Sequence, residues 1–410
     1  MALSFHQEFQ QQFLQLSQVL QHYQAYWRLT PFTCTELPWT DPRLQQVLHG
    51  FSDQQIALID QNSQLQQQYF SDFFPQLFNL PSITSASKPK TIAELPFWLT
   101  NGITGRKLGQ IEALCQHWHS SSRPIVEWCA GKGHLGRMLA YRFEQPVISL
   151  EWQQELCQQG EQLANQFSLP QHFIQVDVLS SGLSSELGSS VNSPLAAVLK
   201  PKQHVVALHA CGQLHISMLQ QAVQAGCEYI HLAPCCYHLI AESCYQPLSD
   251  LAQQHDLGLD QQQLKLIVQG QVTAGERIER LRHTEVHWRL SYELLRQHYI
   301  GDSQYRPLAS AGKHWFSADF SDFATWAAQQ HQWPLPDNIN WQVFLNAGAK
   351  RQHLIQLIEL VRHLFRRPLE HWLLLDKMLY LQQHGYTVDA IEFCDYQLTP
   401  RNLLLTATKN

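Results

Sequence analysis

The chain has 410 residues, 44% of them hydrophobic, with 28 Lys and Arg against 34 Asp and Glu and a formal charge of −6 at pH 7. That length and apolar content suffice for one large or two medium cores, and the negative balance excludes a broad nonspecific polyanion footprint, which needs clustered cations. The start, Met1-Ala2-Leu3-Ser4-Phe5-His6-Gln7-Glu8, has no basic segment, and no stretch stays apolar for about eighteen residues, so we expect a cytoplasmic protein without a membrane span. Ten cysteines without CxxC spacing read as reduced thiols.

Residues 1–90 read as an all-helical N-terminal region. Phe9, Phe13, Leu16, Leu20, Tyr23 and Trp27 recur alternately four and three apart in a glutamine-rich stretch. This is a core stripe, too short for a coiled coil before Pro31 and Pro38 interrupt it. Asp41 before Pro42, and Ser52 three residues ahead of Gln55, mark further helix starts. The run from Pro81 to Lys90 has linker composition.

Residues 91–240 begin with a helical pattern over about 106–118 and an apolar strand, Pro124-Ile125-Val126-Glu127-Trp128. Gly131-Lys132-Gly133-His134-Leu135-Gly136 follows and opens a helix whose Leu135, Met138 and Leu139 share one face. Glycines at this spacing let the backbone turn sharply and approach a nucleotide-type cofactor closely. A second strand at 146–151 ends at Glu151, 20 residues beyond Gly131, where an acid meets ribose hydroxyls. Glu127, four positions before Gly131, separates two cofactors. Its charge is repelled by the pyrophosphate of NAD and suits the sulfonium and ammonium of S-adenosylmethionine. The plainer reading pairs Glu127 with Lys132.

A third strand at 173–178 brings Asp177 to the adenine amino edge or into a turn, and Ser180 to Ser193 reads as a loose crossover. A fourth strand at 204–208 leads into the loop His209-Ala210-Cys211-Gly212. A fifth at 229–232 leads into the loop Ala233-Pro234-Cys235-Cys236-Tyr237-His238. Residues 241–368 read as a mainly helical insertion. Residues 369–410 supply a last helix to about 384 and strands at 386–393 and 402–408 around Leu398-Thr399-Pro400-Arg401-Asn402.

Four ordered motifs, Gly131-Lys132-Gly133-His134-Leu135-Gly136, Leu208-His209-Ala210-Cys211-Gly212, Cys235-Cys236-Tyr237-His238 and Leu398-Thr399-Pro400-Arg401-Asn402-Leu403, resemble a known family. It is the S-adenosylmethionine-dependent methyltransferases that include the methyltransferase-like proteins and the glutathione S-transferase C-terminal-domain-containing protein. The resemblance covers residues 97 to 240 and 369 to 410. It implies an α/β, Rossmann-like class I methyltransferase sheet of seven strands, the last antiparallel, with the helical insertion between strands 5 and 6, and S-adenosyl-L-methionine as cofactor.

The expected cofactor residues are Glu127, Gly131, Lys132, Gly133, Glu151 and Asp177. The expected catalytic set is His209, Cys211, Cys235, Cys236, Tyr237 and His238, gathered at the ends of neighbouring strands. In one reading Tyr237 forms an aromatic platform and His238 or His209 takes the acceptor's proton. In a second, Cys211 and Cys235 or Cys236 are the two thiols of a carbon methyltransferase. In a third the thiols and imidazoles of the cluster bind a structural zinc, against which the adjacency of Cys235 and Cys236 speaks, so no metal is expected; in a fourth the free cysteines simply pack. The acceptor implied is RNA (tRNA or rRNA), with protein next. Lys350, Arg351, Arg362, Arg366 and Arg367, with His353 and His363, form either a nucleic-acid face or a solvated one. A non-catalytic scaffold and an NAD-dependent oxidoreductase are the alternatives.

Overall fold

A computed structural model describes residues 5–85, 88–119, 121–180, 194–269 and 276–410. The chain forms two compact units. One comprises Met1–Gln21, Leu80–Val268 and Arg367–Asn410, the other His22–Asn79 and Gln269–Arg366.

The first unit is built on a seven-stranded sheet: β1 (Ile125–Trp128), β2 (Val147–Glu151), β3 (Gln171–Gln175), β4 (His204–Cys211), β5 (Tyr229–Cys235), β6 (Tyr386–Glu392) and β7 (Leu403–Lys409). Their spatial order is β3-β2-β1-β4-β5-β7-β6, with β7 antiparallel to both its neighbours and β1 to β5 parallel. This is the expected Rossmann-like sheet with its one reversed strand. All four residues of β1 are buried, as befits a central parallel strand covered on both faces. The helices Gly105–Gln116 and His134–Phe143 pack Ile111, Leu114, Leu135, Met138 and Leu139 against Ile125 and Val147.

Three boundaries differ from the sequence reading. β3 ends at Gln175, so Asp177 lies beyond the strand. β4 and β5 each run three residues further than expected, to Cys211 and Cys235, which pair across the ladder after an irregularity between Leu208 and Cys211. These cysteines end strands and do not sit in loops; the irregularity shifts the register by one residue, so that Cys211 comes to face Cys235. Residues 181–193 of the serine-rich run lie outside the described residues.

In the same unit, helix Phe5–His22 buries Phe9, Phe13, Leu16 and Leu20, and the Phe13 ring lies 5.3 Å from Trp372 of helix Arg366–Gln383. That last helix also carries Asp376, fully buried, which accepts hydrogen bonds from Tyr245 Oη at 2.7 Å and from the Leu248 and Ser249 amides. Beside it Lys377 is equally buried, donating to Leu373 O and Tyr245 Oη, and burial pulls its pKa down to about 8 against the pull of Asp376.

In the second unit, Asp41 caps helix Pro42–His49 and Ser52 with Gln55 forms a capping box on helix Asp53–Asp60. The long helices Glu276–Ile300 and Trp341–His363 pack there with Phe320–Gln330 around Phe316, Phe320 and Phe323. The nucleic-acid face read from the sequence is corrected here. Arg362 is buried and paired with Glu359 at 2.7 Å, Arg366 is buried and paired with Asp60, and His363 lies 2.8 Å from the same Asp60 carboxylate. Arg351 donates to Phe32 O, and His353 pairs with Asp53. In the sheet unit, Arg367 pairs with Glu370 and Glu392. Helical periodicity located these cations but not the acids that face Arg362, His363 and Arg366, so a buried ion network was read as part of a surface, while Lys350 of the same set is exposed.

Replacing Asp376 by Ala strips three hydrogen bonds and leaves the buried Lys377 ammonium without its counter-charge. We expect Asp376→Ala to lower the unfolding free energy by about 3–5 kcal/mol in urea denaturation; a loss below about 1 kcal/mol would show that the pair is not what fastens the segment after β5.

Candidate active site

β1 delivers the chain to a turn made of left-handed backbone: Cys129, Gly131 and Gly133 have φ of +54°, +59° and +65°. At Gly133 the reason is space as well as torsion, since a Cβ there would lie 2.3 Å from Phe173 Cζ of β3. The turn is braced from below. Gln171 donates to Gly133 O at 3.0 Å and to Ser149 Oγ at 2.8 Å, and Ser149 donates to Glu127 Oε2 at 2.6 Å. Glu127 is thus buried beneath the glycine turn and off the cavity wall, against Gly136 of the following helix. Burial pushes its pKa up to about 7, against the Ser149 and Gly136 hydrogen bonds and the cations Lys107 and Arg137. Lys132 is exposed, and no ion pair joins it to Glu127 among the described residues.

Above the turn, at the carboxyl ends of β1 to β4, lies a cavity of about 690 Å³, within the range of roughly 300–1,000 Å³ usual for small-molecule sites. Gly131, Glu151, Asp177 and Cys211 all line it, as do Trp152 and Leu239. The Glu151 carboxylate accepts the Gly131 amide at 2.9 Å through one oxygen and the Gln153 amide at 3.0 Å through the other. Each oxygen keeps a lone pair for a ligand. Asp177 accepts the Leu179 amide at 2.9 Å, so it makes a turn and faces the cavity at once. Two wall residues were missed by the sequence reading. Trp152, 65% exposed, directly follows Glu151, and an aromatic beside a strand-end acid was the available signal. Cys129, whose thiol burial and Glu151 push up to about 12, sits between β1 and the glycines.

β4 and β5 end together. Gly212 N donates to Cys235 O at 3.0 Å, and Gln213 N donates to Leu239 O at 2.7 Å. Gly212 is held at φ +54°, and a Cβ on it would lie 2.0 Å from Leu239 O, so no larger residue fits this junction. His209 (φ +71°) and Cys236 (φ +46°) are also left-handed, a conformation that side chains resist. The sulfurs of Cys211, Cys235 and Cys236 all lie within 4.8 Å of one another, with Cys211 and Cys235 at 3.2 Å. Hydrogen bonds from Cys211 and Cys235 draw the charge to Cys236 and lower its pKa, while the bond with Cys211 keeps the proton on Cys235.

His209 is exposed at the end of β4 and His238 is half-buried, its Nδ1 enclosed and without a hydrogen-bond partner. Tyr237 departs from its expected role. It is buried behind the cluster, its ring 5.5 Å from that of His215 and 5.3 Å from Lys377 Nζ, and it offers no platform to the cavity. Tyr237 follows Cys236, whose φ of +46° breaks the strand alternation, and its ring lies in the core.

A family model described as a methyltransferase domain matches residues 106–243. The match takes in the glycine turn, β1 to β5 and the three thiols, while β6 and β7, outside the matched residues, complete the sheet from the far end of the chain. The reversed β7 also separates it from dinucleotide-binding sheets, whose order is 3-2-1-4-5-6. No curated protein matches the chain.

Glu127 gives this site a pH signature. Its folded pKa, about 7, is raised from 4.5, so its contribution to stability is fully present below pH 4.5 and is lost as pH rises through about 7. Glu127→Gln should remove that loss: between pH 4.5 and 8 the variant gains, relative to the parent, on the order of 3 kcal/mol in urea denaturation. Parallel profiles would mean that Glu127 titrates normally.

Proposed function

We propose that the protein is a methyltransferase that uses S-adenosyl-L-methionine and transfers its methyl group to a macromolecular acceptor. The observation that carries the reading is the Glu151 carboxylate, bonded to the Gly131 amide on the wall of the cavity at the carboxyl edge of the sheet. The donor set fits the cofactor: Glu151 for ribose hydroxyls, the exposed Trp152 face for adenine, Asp177 for its amino edge, and apolar Leu156 and Val176 between them. The argument for this cofactor over NAD now rests on the sheet order, since Glu127 lies beneath the turn.

When bound, the cofactor supplies an electrophilic methyl on a sulfonium. The chain's own task is to hold the acceptor in line with it, which supplies most of the acceleration. His209, exposed at the end of β4, is the group we assign to take the acceptor's proton, with a modest further gain. For the acceptor we favour RNA over protein on the family resemblance alone, because three of the cations first marked for RNA, Arg362, Arg366 and Arg367, are engaged in ion pairs. With ten free cysteines and no helix among the described residues long and apolar enough to cross a membrane, we place the protein in the cytoplasm.

Calorimetric titration with S-adenosylhomocysteine should show micromolar binding, about 8 kcal/mol, with none for NADH. Glu151→Ala should weaken it by about 2 kcal/mol, roughly thirtyfold, and Trp152→Ala by about 1–3 kcal/mol. Binding of neither ligand would leave a scaffold, and binding of NADH alone an oxidoreductase. Label transferred from methyl-tritiated cofactor in cell extract should be removed by ribonuclease. Removal by protease alone would replace RNA with protein.

A further inference from the structure

The three thiols at the end of β4 and β5 do more than line a wall. We propose that Cys211, Cys235 and Cys236 bind one thiophilic divalent cation, zinc in the cell, as three thiolate ligands beside the cavity, leaving a fourth position open. The assignment stands on these side chains and holds whichever methyl donor the protein uses.

Three observations lead to it. Sulfurs bound to one tetrahedral zinc at about 2.3 Å must lie roughly 3.8 Å apart, and these three lie within 4.8 Å of one another with the closest pair at 3.2 Å, so adjustments of less than about 1 Å complete the site. A disulfide would use two of the sulfurs and leave the third, and apolar packing gives three sulfurs no reason to converge.

The second observation answers the objection that neighbouring cysteines point apart. Successive side chains on a strand face opposite ways, but Cys236 follows the last residue of β5 with a φ of +46°, which swings its sulfur back to the side of Cys235. Cys211 is fixed opposite Cys235 by the ladder.

The third is charge. Zinc with three thiolates carries about one net negative charge. Arg401 of the β6–β7 turn acts electrostatically on both Cys211 and Cys236, and its Nε is buried without a hydrogen-bond partner. On binding, the remaining thiol protons leave to solvent and no electron moves. Because Cys211 is on the cavity wall, the metal would stand beside the cavity, where a fourth position could take water or an acceptor atom. Three protein ligands with an open place is the arrangement of a reactive zinc site, whereas structural sites are closed by four.

The test uses the full chain purified under reducing conditions without chelator. Elemental analysis should find about one zinc per chain. After its removal, cobalt(II) should produce the near-ultraviolet thiolate-to-metal charge-transfer band at an intensity for three sulfurs, and added zinc should abolish it. Cys211→Ser and Cys236→Ser should each weaken zinc binding at least about tenfold, while Cys34→Ser, in the other unit, leaves it unchanged. Less than about a tenth of an equivalent of zinc, together with no cobalt band, would overturn the proposal, as would full metal retention by the Cys211→Ser/Cys236→Ser double variant. If a serine variant does not fold, the band intensity of the parent decides alone. A Cys211–Cys235 disulfide that forms in air while the reduced protein binds no cobalt also overturns it, in favour of a redox pair. S-adenosylhomocysteine affinity measured on the same preparations reports the donor site separately.

Discussion

The cavity exists because the carboxyl edge of the sheet is turned by backbone that side chains resist. Six residues at that edge have left-handed φ: Cys129, Gly131 and Gly133 after β1, and His209, Gly212 and Cys236 at the ends of β4 and β5. For the non-glycine members this costs on the order of 1–2 kcal/mol each, and it persists because the parallel ladder and the helices leave no other path. The Gly212 and Gln213 amides, bonded to β5 and to Leu239, show the mechanism: two strand ends are tied to each other, so neither turn relaxes alone.

Two acids near the ends of adjacent strands meet opposite fates within this frame. Glu151 lies at the rim and satisfies two amides while remaining on the cavity wall. Glu127 points under the same glycine turn, where Ser149 and Gln171 connect it to the turn's carbonyl and burial favours its protonated form. One acid stands on the cavity wall; the other, beneath the turn, is joined through Ser149 and Gln171 to the turn's carbonyl.

Much of this was legible in the sequence because it depends on local chemistry. The glycine spacing, the acid at the end of β2, the caps at Asp41 and Ser52 and the core stripe from Phe9 to Leu20 each follow from torsion, hydrogen-bonding valence or helical period. What was not legible depends on who faces whom. The direction of Glu127 depends on which side of β1 it occupies, and the inward turn of Tyr237 follows the left-handed torsion of Cys236 before it, neither of which composition encodes. The burial of Arg362 and Arg366 depends on acids such as Asp60, some 300 residues away in sequence. The convergence of Cys235 and Cys236 rests on one backbone torsion, which no spacing rule reports.

β7 carries a consequence for how the molecule is assembled. It is the last strand in sequence, yet it lies between β5 and β6 and hydrogen-bonds to both. Until Leu403–Lys409 emerges during synthesis, β5 has an open, apolar edge beside the cysteines, and the earlier strands wait incomplete for the whole time the intervening helices are made. The nascent chain therefore carries the β5 edge from Tyr229 to Leu232 unpaired until β7 is made.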